Sequence, residues 1–401
     1  MRISGHARRS LQPEGTSESP PTPKKSHKAA GLIVAALLLL AAFVLAAPYI
    51  SSALNQSYSF LSGSTSTGPS TISSTQSNST GTTATSTNST SSQCSSVVSI
   101  KALADPDIVN GSADVAYPSD YCVLASYALG LINQDRAANG TGPVYLDFNQ
   151  AAQQHADSML YYGYFCHFDT QGYKPYMRYS LLGGRGADFE NVAYYYYSIP
   201  HFVSADAVET AIKELEYSMV YNDSSCCDNG HRYNILNPLH NQVSIGVAYN
   251  DNYVYFDEEF ENNYINLNFT VSPASAADPY YVTLTGVPTG SFPAPNALYV
   301  AFDNPPVAST PSQLNNSPHE YGPGTLEGGV LPRIGFFGDC GQFSSGTTVC
   351  ADTWKVGPTS VDIAFPLEPF IKAYGQGVYT LYLITGSSTD SAITSVSVFV
   401  S

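Results

Sequence analysis

Gly230-His231-Arg232-Tyr233-Asn234-Ile235-Leu236, followed closely by Gln242-Val243-Ser244-Ile245-Gly246-Val247-Ala248-Tyr249, is where a polar site meets a fold. The first stretch sets a histidine beside a flexible glycine and directly ahead of an apolar anchor, which holds an imidazole at the rim of a cleft. The second alternates and, with Tyr253 to Phe260, predicts a hairpin closed around Asn250-Asp251-Asn252. Upstream, Val123, Leu124, Tyr127, Leu131 and Ile132 recur at helical spacing after a cap at Ser119 or Asp120, and Asn139-Gly140 ends that helix. A second helix is predicted from Asn149 to Tyr162, stopped by Gly163, and a third after Ser204 through Val208, Ala211, Ile212 and Leu215. Helices over a small antiparallel sheet make an α+β sandwich.

Three potential site residues precede His231 in order: His167, Glu190 and Glu214. The run LINQDRAANG (131–140), AAQQHADSM (151–159), GYFCHFDTQG (163–172), ENVAYY (190–195), GHRYNILNP (230–238) and QVSIGVAY (242–249) resembles the CAP superfamily of cysteine-rich secretory, antigen 5 and plant pathogenesis-related proteins. The resemblance spans about Tyr121 to Phe260 and rests on the shared order of the motifs. It implies a three-layer α-β-α sandwich with a cleft of two histidines and two glutamates, whose histidines bind zinc or another divalent ion in some members. His167 matches the first histidine, Glu190 the first glutamate and His231 the second histidine. Glu214 matches the second glutamate in a frame where Ala211 replaces a tryptophan, with Glu209 and Glu216 as rivals. The implied metal ligands are His167 and His231. A second departure is the glycine-free, double-cysteine loop Tyr221 to Asn229, and both it and Ala211 alter the cleft wall.

Two neutral imidazoles suit zinc, yet a catalytic zinc usually has three protein ligands and a water. A glutamate joining them would leave the other to take a proton from bound water, making a metal-dependent hydrolase. The alternative is that the four polar groups hydrogen-bond one another and hold the cleft together. His155, on an apolar helix face, reads as a structural histidine, and no HExxH, GxSxG or phosphate-binding loop occurs. The Tyr194 to Tyr197 run reads either as a stacking surface for sugars or lipids or as a strand with one aromatic face buried.

Ala29 to Ile50 is a run of 22 uncharged, mostly apolar residues, long enough for a transmembrane helix. The tail 1–28 carries Arg2, Arg8, Arg9, Lys24, Lys25 and Lys28 against Glu14 and Glu18, which predicts a cytoplasmic N-terminus and an extracellular remainder. Residues 51–96, rich in Ser and Thr and without charge, predict a flexible stalk; Asn55, Asn78 and Asn88 begin glycosylation sequences there, as do Asn110, Asn139, Asn222, Asn268 and Asn315 beyond it. Removing the tail's charges leaves 10 Lys and Arg against 30 Asp and Glu, a balance that argues against nucleic acid as a partner. It would also suit an acidic exterior.

Seven cysteines lie beyond the apolar run. Cys340 and Cys350 are expected to pair; Cys122, Cys166, Cys226 and Cys227 are expected to make two bridges across the first domain, leaving Cys94 for an intermolecular bond. A bridge between the adjacent Cys226 and Cys227 is disfavoured. Texture divides the folded part into a domain over 97–271 and another over 279–401. The latter has alternating runs Tyr280 to Leu284, Ala297 to Phe302, Val361 to Phe365, Val378 to Ile384 and Ile393 to Val400, which predict a β-sandwich. Gly375 to Tyr382 resembles a late strand of an immunoglobulin-like fold, where a tyrosine near a glycine secures a corner. Three functions fit: a cell-surface binding module for a lipid, glycan or protein; a metal-dependent hydrolase; and a structural envelope protein with lateral or disulfide-linked self-association.

Overall fold

The computed structural model describes residues 120–199, 204–273, 280–317, 320–334, 339–343 and 345–401. The expected tail, membrane helix and stalk lie outside them. Among the described residues no helix is long and apolar enough to cross a membrane.

The first helix, α1, is Tyr121–Ala138, and Leu124, Ala125, Ala128 and Ile132 form its buried stripe. Val123, expected inward, is 53% exposed because the alanines, not the valine, face the neighbouring helix. After the short strand β1 (Tyr145–Leu146) comes α2, Ala151–Tyr162, which ends where Gly163 adopts a left-handed conformation and donates to Met159 O. Then follow α3 (Pro175–Leu181), β2 (Ala187–Tyr196), α4 (Ala205–Tyr221), α5 (Ser224–Cys227) and α6 (Gly230–Ile235). The predicted hairpin is β3 (Gln242–Tyr249) and β4 (Tyr253–Asn262), its turn fixed by Asn250 Oδ1, which accepts from the backbone of Asn252 and Tyr253.

These strands form one sheet in the order β1-β3-β4-β2, leaving β2 at an edge. Alternation sends Val243, Ile245, Val247, Phe256 and Phe260 toward α1 and α4, where Ala211 is also buried. The other face meets α2 and α3. A side chain at Gly246 would lie 2.1 Å from Ala152 O, so only glycine lets α2 settle this closely on β3. Gln153 of α2 then exchanges two hydrogen bonds with the Val247 backbone, at 2.9 and 3.0 Å. The result is helix, sheet and helix in three layers.

The remaining strands are β5 (Ile265–Ser272), β6 (Tyr281–Pro288), β7 (Ala297–Asp303), β8 (Thr325–Leu331), β9 (Thr347–Cys350), β10 (Thr353–Val356), β11 (Val361–Pro366), β12 (Gly377–Ile384) and β13 (Ala392–Val400). They form two sheets, β10-β11-β6-β5 and β13-β12-β7-β8-β9, which share one apolar core. Composition changes at 272–278, but pairing changes one strand earlier. β5 buries Ile265 and Leu267 on one face and pairs with β6. Tyr379 donates from its hydroxyl to Gly375 O at 2.6 Å.

The two parts are joined by direct bonds. Tyr176 and Lys174 of the first part both reach Asp303, at 2.6 and 2.7 Å. Asn315 accepts from Phe165 N at 2.9 Å, and Ser397 N donates to Ser180 Oγ at 3.0 Å.

The cysteines correct the expected pairing. Cys340 bonds Cys350 as predicted, but Cys226 bonds its neighbour Cys227, and Cys166 is free and buried. Cys122 is disulfide-bonded, its partner outside the described residues. Cys166 is enclosed beside Ala156, Met159 and Tyr164, and the turn at α5 brings the adjacent sulfurs together.

Candidate functional site

His167 leaves α2 on a loop that α3 secures. Arg178 donates from Nη1 to His167 O at 2.9 Å and to Tyr173 O at 3.0 Å. The imidazole Nδ1 then meets Glu190 Oε2 at 2.7 Å, with the pair almost enclosed. Glu190 Oε1 takes Arg178 Nη2 and lies 2.9 Å from His155 Nδ1. His155 also meets Asp257 Oδ2 at 3.0 Å, so the histidine read as structural belongs to this cluster. Burial opposes charge on Glu190, but Arg178 and His155 outweigh it and hold the carboxylate well below its ordinary range.

A residue from the β-rich part closes the site. Tyr321 packs against His167 with ring centroids 4.8 Å apart, and its hydroxyl accepts from Glu190 N at 2.6 Å. Nothing local in the sequence signals this contact, which spans 131 positions.

His231 opens α6. Asp228 and Asn229, both with positive φ, reverse the chain between α5 and α6. Its Nδ1 meets Asp223 Oδ1 at 2.7 Å, and Asp223 Oδ2 accepts from Arg232 N at 3.2 Å. Arg232 ties the turn down by donating to Val220 O at 2.6 Å and Asn139 Oδ1 at 2.9 Å. The chemistry is that of an oriented imidazole: a carboxylate on Nδ1 leaves Nε2 presented.

Among the described residues no hydrogen bond or ion pair joins His167 to His231. They are linked through β2, where Glu190 serves His167 and the next residue, Asn191, donates to His231 O at 3.4 Å and Glu258 Oε2 at 3.3 Å. Consecutive strand residues point to opposite faces, so the two histidines are served from the two faces of the edge strand.

Glu214 lies elsewhere. It shares a surface groove with Tyr127, Asp206, Glu209, Thr210, Lys213 and Tyr217, and interacts with Tyr195. Of its rivals, Glu209 lines the same groove and Glu216 is buried beside Glu258. The carboxylate that meets His231 is Asp223, which lay hidden in the inserted loop. Tyr194 and Tyr196 pack against Tyr253 with their rings tilted, the latter pair 4.9 Å apart, and Tyr196 is 39% exposed.

Beneath the first histidine lies a ladder of carboxyl groups. Across β2 and β4, Asp188 stands opposite Glu261 and Glu190 opposite Glu259. Opposed like charges destabilise a sheet. Burial raises Asp188, Asp257, Glu259 and Glu261 well above their ordinary values, with neighbouring carboxylates adding to the shift. Glu258, on the other face, is pushed up to about 7 by burial.

The profile of the CAP family, described as the cysteine-rich secretory protein family, matches residues 129–269. The chain therefore contains a CAP domain. Similar solved structures include an extracellular protein containing an SCP domain from Bacillus anthracis str. Ames, 18% identical over 33% of this chain and 38% of that one, with a TM-score of 0.24. Another is the CAP domain of Enterococcal PrgA, 15% identical over 34% of this chain and 58% of that one, with a TM-score of 0.25. The chain spans less than two thirds of either. Comparison with curated proteins finds no match.

Proposed function

We infer that this protein is a surface-exposed binding module, tethered by the apolar segment 29–50, that engages a lipid, glycan or protein ligand through its CAP domain. The observation that carries this reading is the engagement of Glu190: Arg178 and His155 occupy one oxygen and His167 the other. A carboxylate so paired is a weak base, suited to holding a site rather than turning over substrate. The clustered rings of Tyr194, Tyr196 and Tyr253 offer apolar surface to a sugar or acyl chain. The β-rich part serves as an immunoglobulin-like spacer or adhesion unit, open to lateral self-association.

A divalent ion such as zinc would be taken through Nε2 of His167 or of His231, which β2 serves from its two faces. A single imidazole holds such an ion modestly. It would polarise a ligand oxygen, while the chain's part is to orient both rings through Glu190 and Asp223.

The test uses the purified full chain, its His167→Ala/His231→Ala variant and its Tyr196→Ala/Tyr253→Ala variant. Binding to glycan arrays and lipid vesicles that the tyrosine changes abolish and the histidine changes spare supports this reading. Ester or peptide hydrolysis that needs a divalent ion and disappears in the histidine variant would establish the hydrolase instead.

A further inference from the structure

The disulfide between Cys226 and Cys227 closes over a set of metal donors. Asp223, Cys226, Cys227 and His231 each offer a ligand atom, and all four atoms lie within 4.8 Å of one another. Asp223 Oδ1 stands 2.7 Å from His231 Nδ1 and 3.6 Å from Cys226 Sγ. The carboxylate is 2% exposed, whereas both cysteines are half-buried and reachable from solvent. The positive-φ pair Asp228 and Asn229 folds the histidine back onto the cysteines. Two sulfurs, an imidazole nitrogen and a carboxylate oxygen suit a thiophilic divalent cation in tetrahedral coordination.

We propose that the dithiol form of this loop is a zinc-class metal site, and that formation of the Cys226–Cys227 disulfide closes it. Adjacent cysteines have Cα atoms 3.8 Å apart, below the usual disulfide range, and such bridges open more readily. An external dithiol reduces the bridge by exchange: it supplies two electrons and two protons, becomes a disulfide itself, and leaves two thiols. The cation displaces both thiol protons to solvent as the two sulfur–metal bonds form. Oxidation by an external disulfide reverses the sequence and expels the ion. Asp223 either enters the coordination shell or orients His231 for it. The site shares His231 with the histidine pair considered above but requires nothing of His167.

Cobalt(II) distinguishes the two arrangements. Full-length chain is treated with a phosphine reductant, freed of it without air, and titrated with cobalt(II) beside untreated chain. One ion per chain with thiolate-to-cobalt absorption is expected only after reduction. The absorption is lost in Cys226→Ser/Cys227→Ser, unchanged in His167→Ala, and unchanged in Cys340→Ser/Cys350→Ser, which controls for the other sulfur pair. Asp223→Asn is expected to weaken binding about 10- to 100-fold, the range for removing a group that orients a ligand. Circular dichroism of each variant confirms folding. The proposal is overturned if reduced wild type takes up no more cobalt than the folded Cys226→Ser/Cys227→Ser variant, or if the absorption depends on His167 rather than the cysteines.

Discussion

The hydroxyl of Tyr321 accepts the backbone N–H of Glu190 at 2.6 Å, so the β-rich part supplies a partner to the edge strand of the CAP sheet. An edge strand presents groups with no neighbouring strand to satisfy them. The same ring covers His167, coupling that histidine's access to the junction between the two parts.

Tyr321→Phe is expected to cost about 1 kcal/mol by leaving Glu190 N without its acceptor. Urea denaturation measures the loss. Tyr321→Ala also uncovers His167, so carbethoxylation of that imidazole should accelerate while His231 reacts as before. Equal rates at His167 in wild type and variant would show that the ring does not guard it.

Arg178→Met keeps most of the volume but leaves Glu190 charged, buried and without its cation. A cost of about 3–5 kcal/mol is expected, as for breaking a buried ion pair from one side. Arg178→Lys should recover little, because one ammonium cannot serve Glu190 and the carbonyls of His167 and Tyr173 together. Equilibrium denaturation of both variants checks the order.

Stability should be greatest on the acid side of neutrality. Burial raises Asp188, Glu216, Asp257, Glu259 and Glu261 well above their ordinary values, and lifts Asp157 and Glu258 to about 7. Such groups contribute stability below their unfolded values, about 4, that is lost as pH rises through the folded values. Burial pushes His155 and His240 down to about 4 and about 3, and their contribution is present above about 6.5 and lost as pH falls. Glu190, held low by Arg178 and His155 against burial, likewise loses its contribution in acid. Scanning calorimetry should find the melting temperature falling as pH rises from about 4 through about 7, where Asp157 and Glu258 titrate, and falling again in more acid solution. A midpoint that climbs steadily to pH 9 would contradict protonated carboxyls in the sheet.

Gly246→Ala places a methyl 2.1 Å from Ala152 O, a backbone atom that cannot swing aside. Overpacking of this kind costs about 1–3 kcal/mol. Denaturation measures it, and Gly230→Ala, whose added carbon meets nothing within 4 Å, is the matched control.

Local pattern in the sequence determined the elements: the spacing in α1 and α2, the stop at Gly163, the β3–β4 hairpin and most strands of the second part. The order of motifs was enough to place His167, Glu190 and His231 on a CAP domain, and the family profile covers those positions. Tertiary structure decided which groups meet. Helical spacing put Glu214 in the frame of a cleft glutamate, yet α4 turns it into a groove beside Tyr195, while Asp223 reaches His231. Asp257 reached His155 across 102 positions and Tyr321 reached Glu190 across 131, while Arg178 joined His167 from 11 residues away. Cysteine pairing likewise followed from enclosure of Cys166 and the turn around Cys226, not from counting. The physical reason is one of range: periodicity records which face of an element is apolar, whereas partners across a sheet edge depend on how whole elements pack.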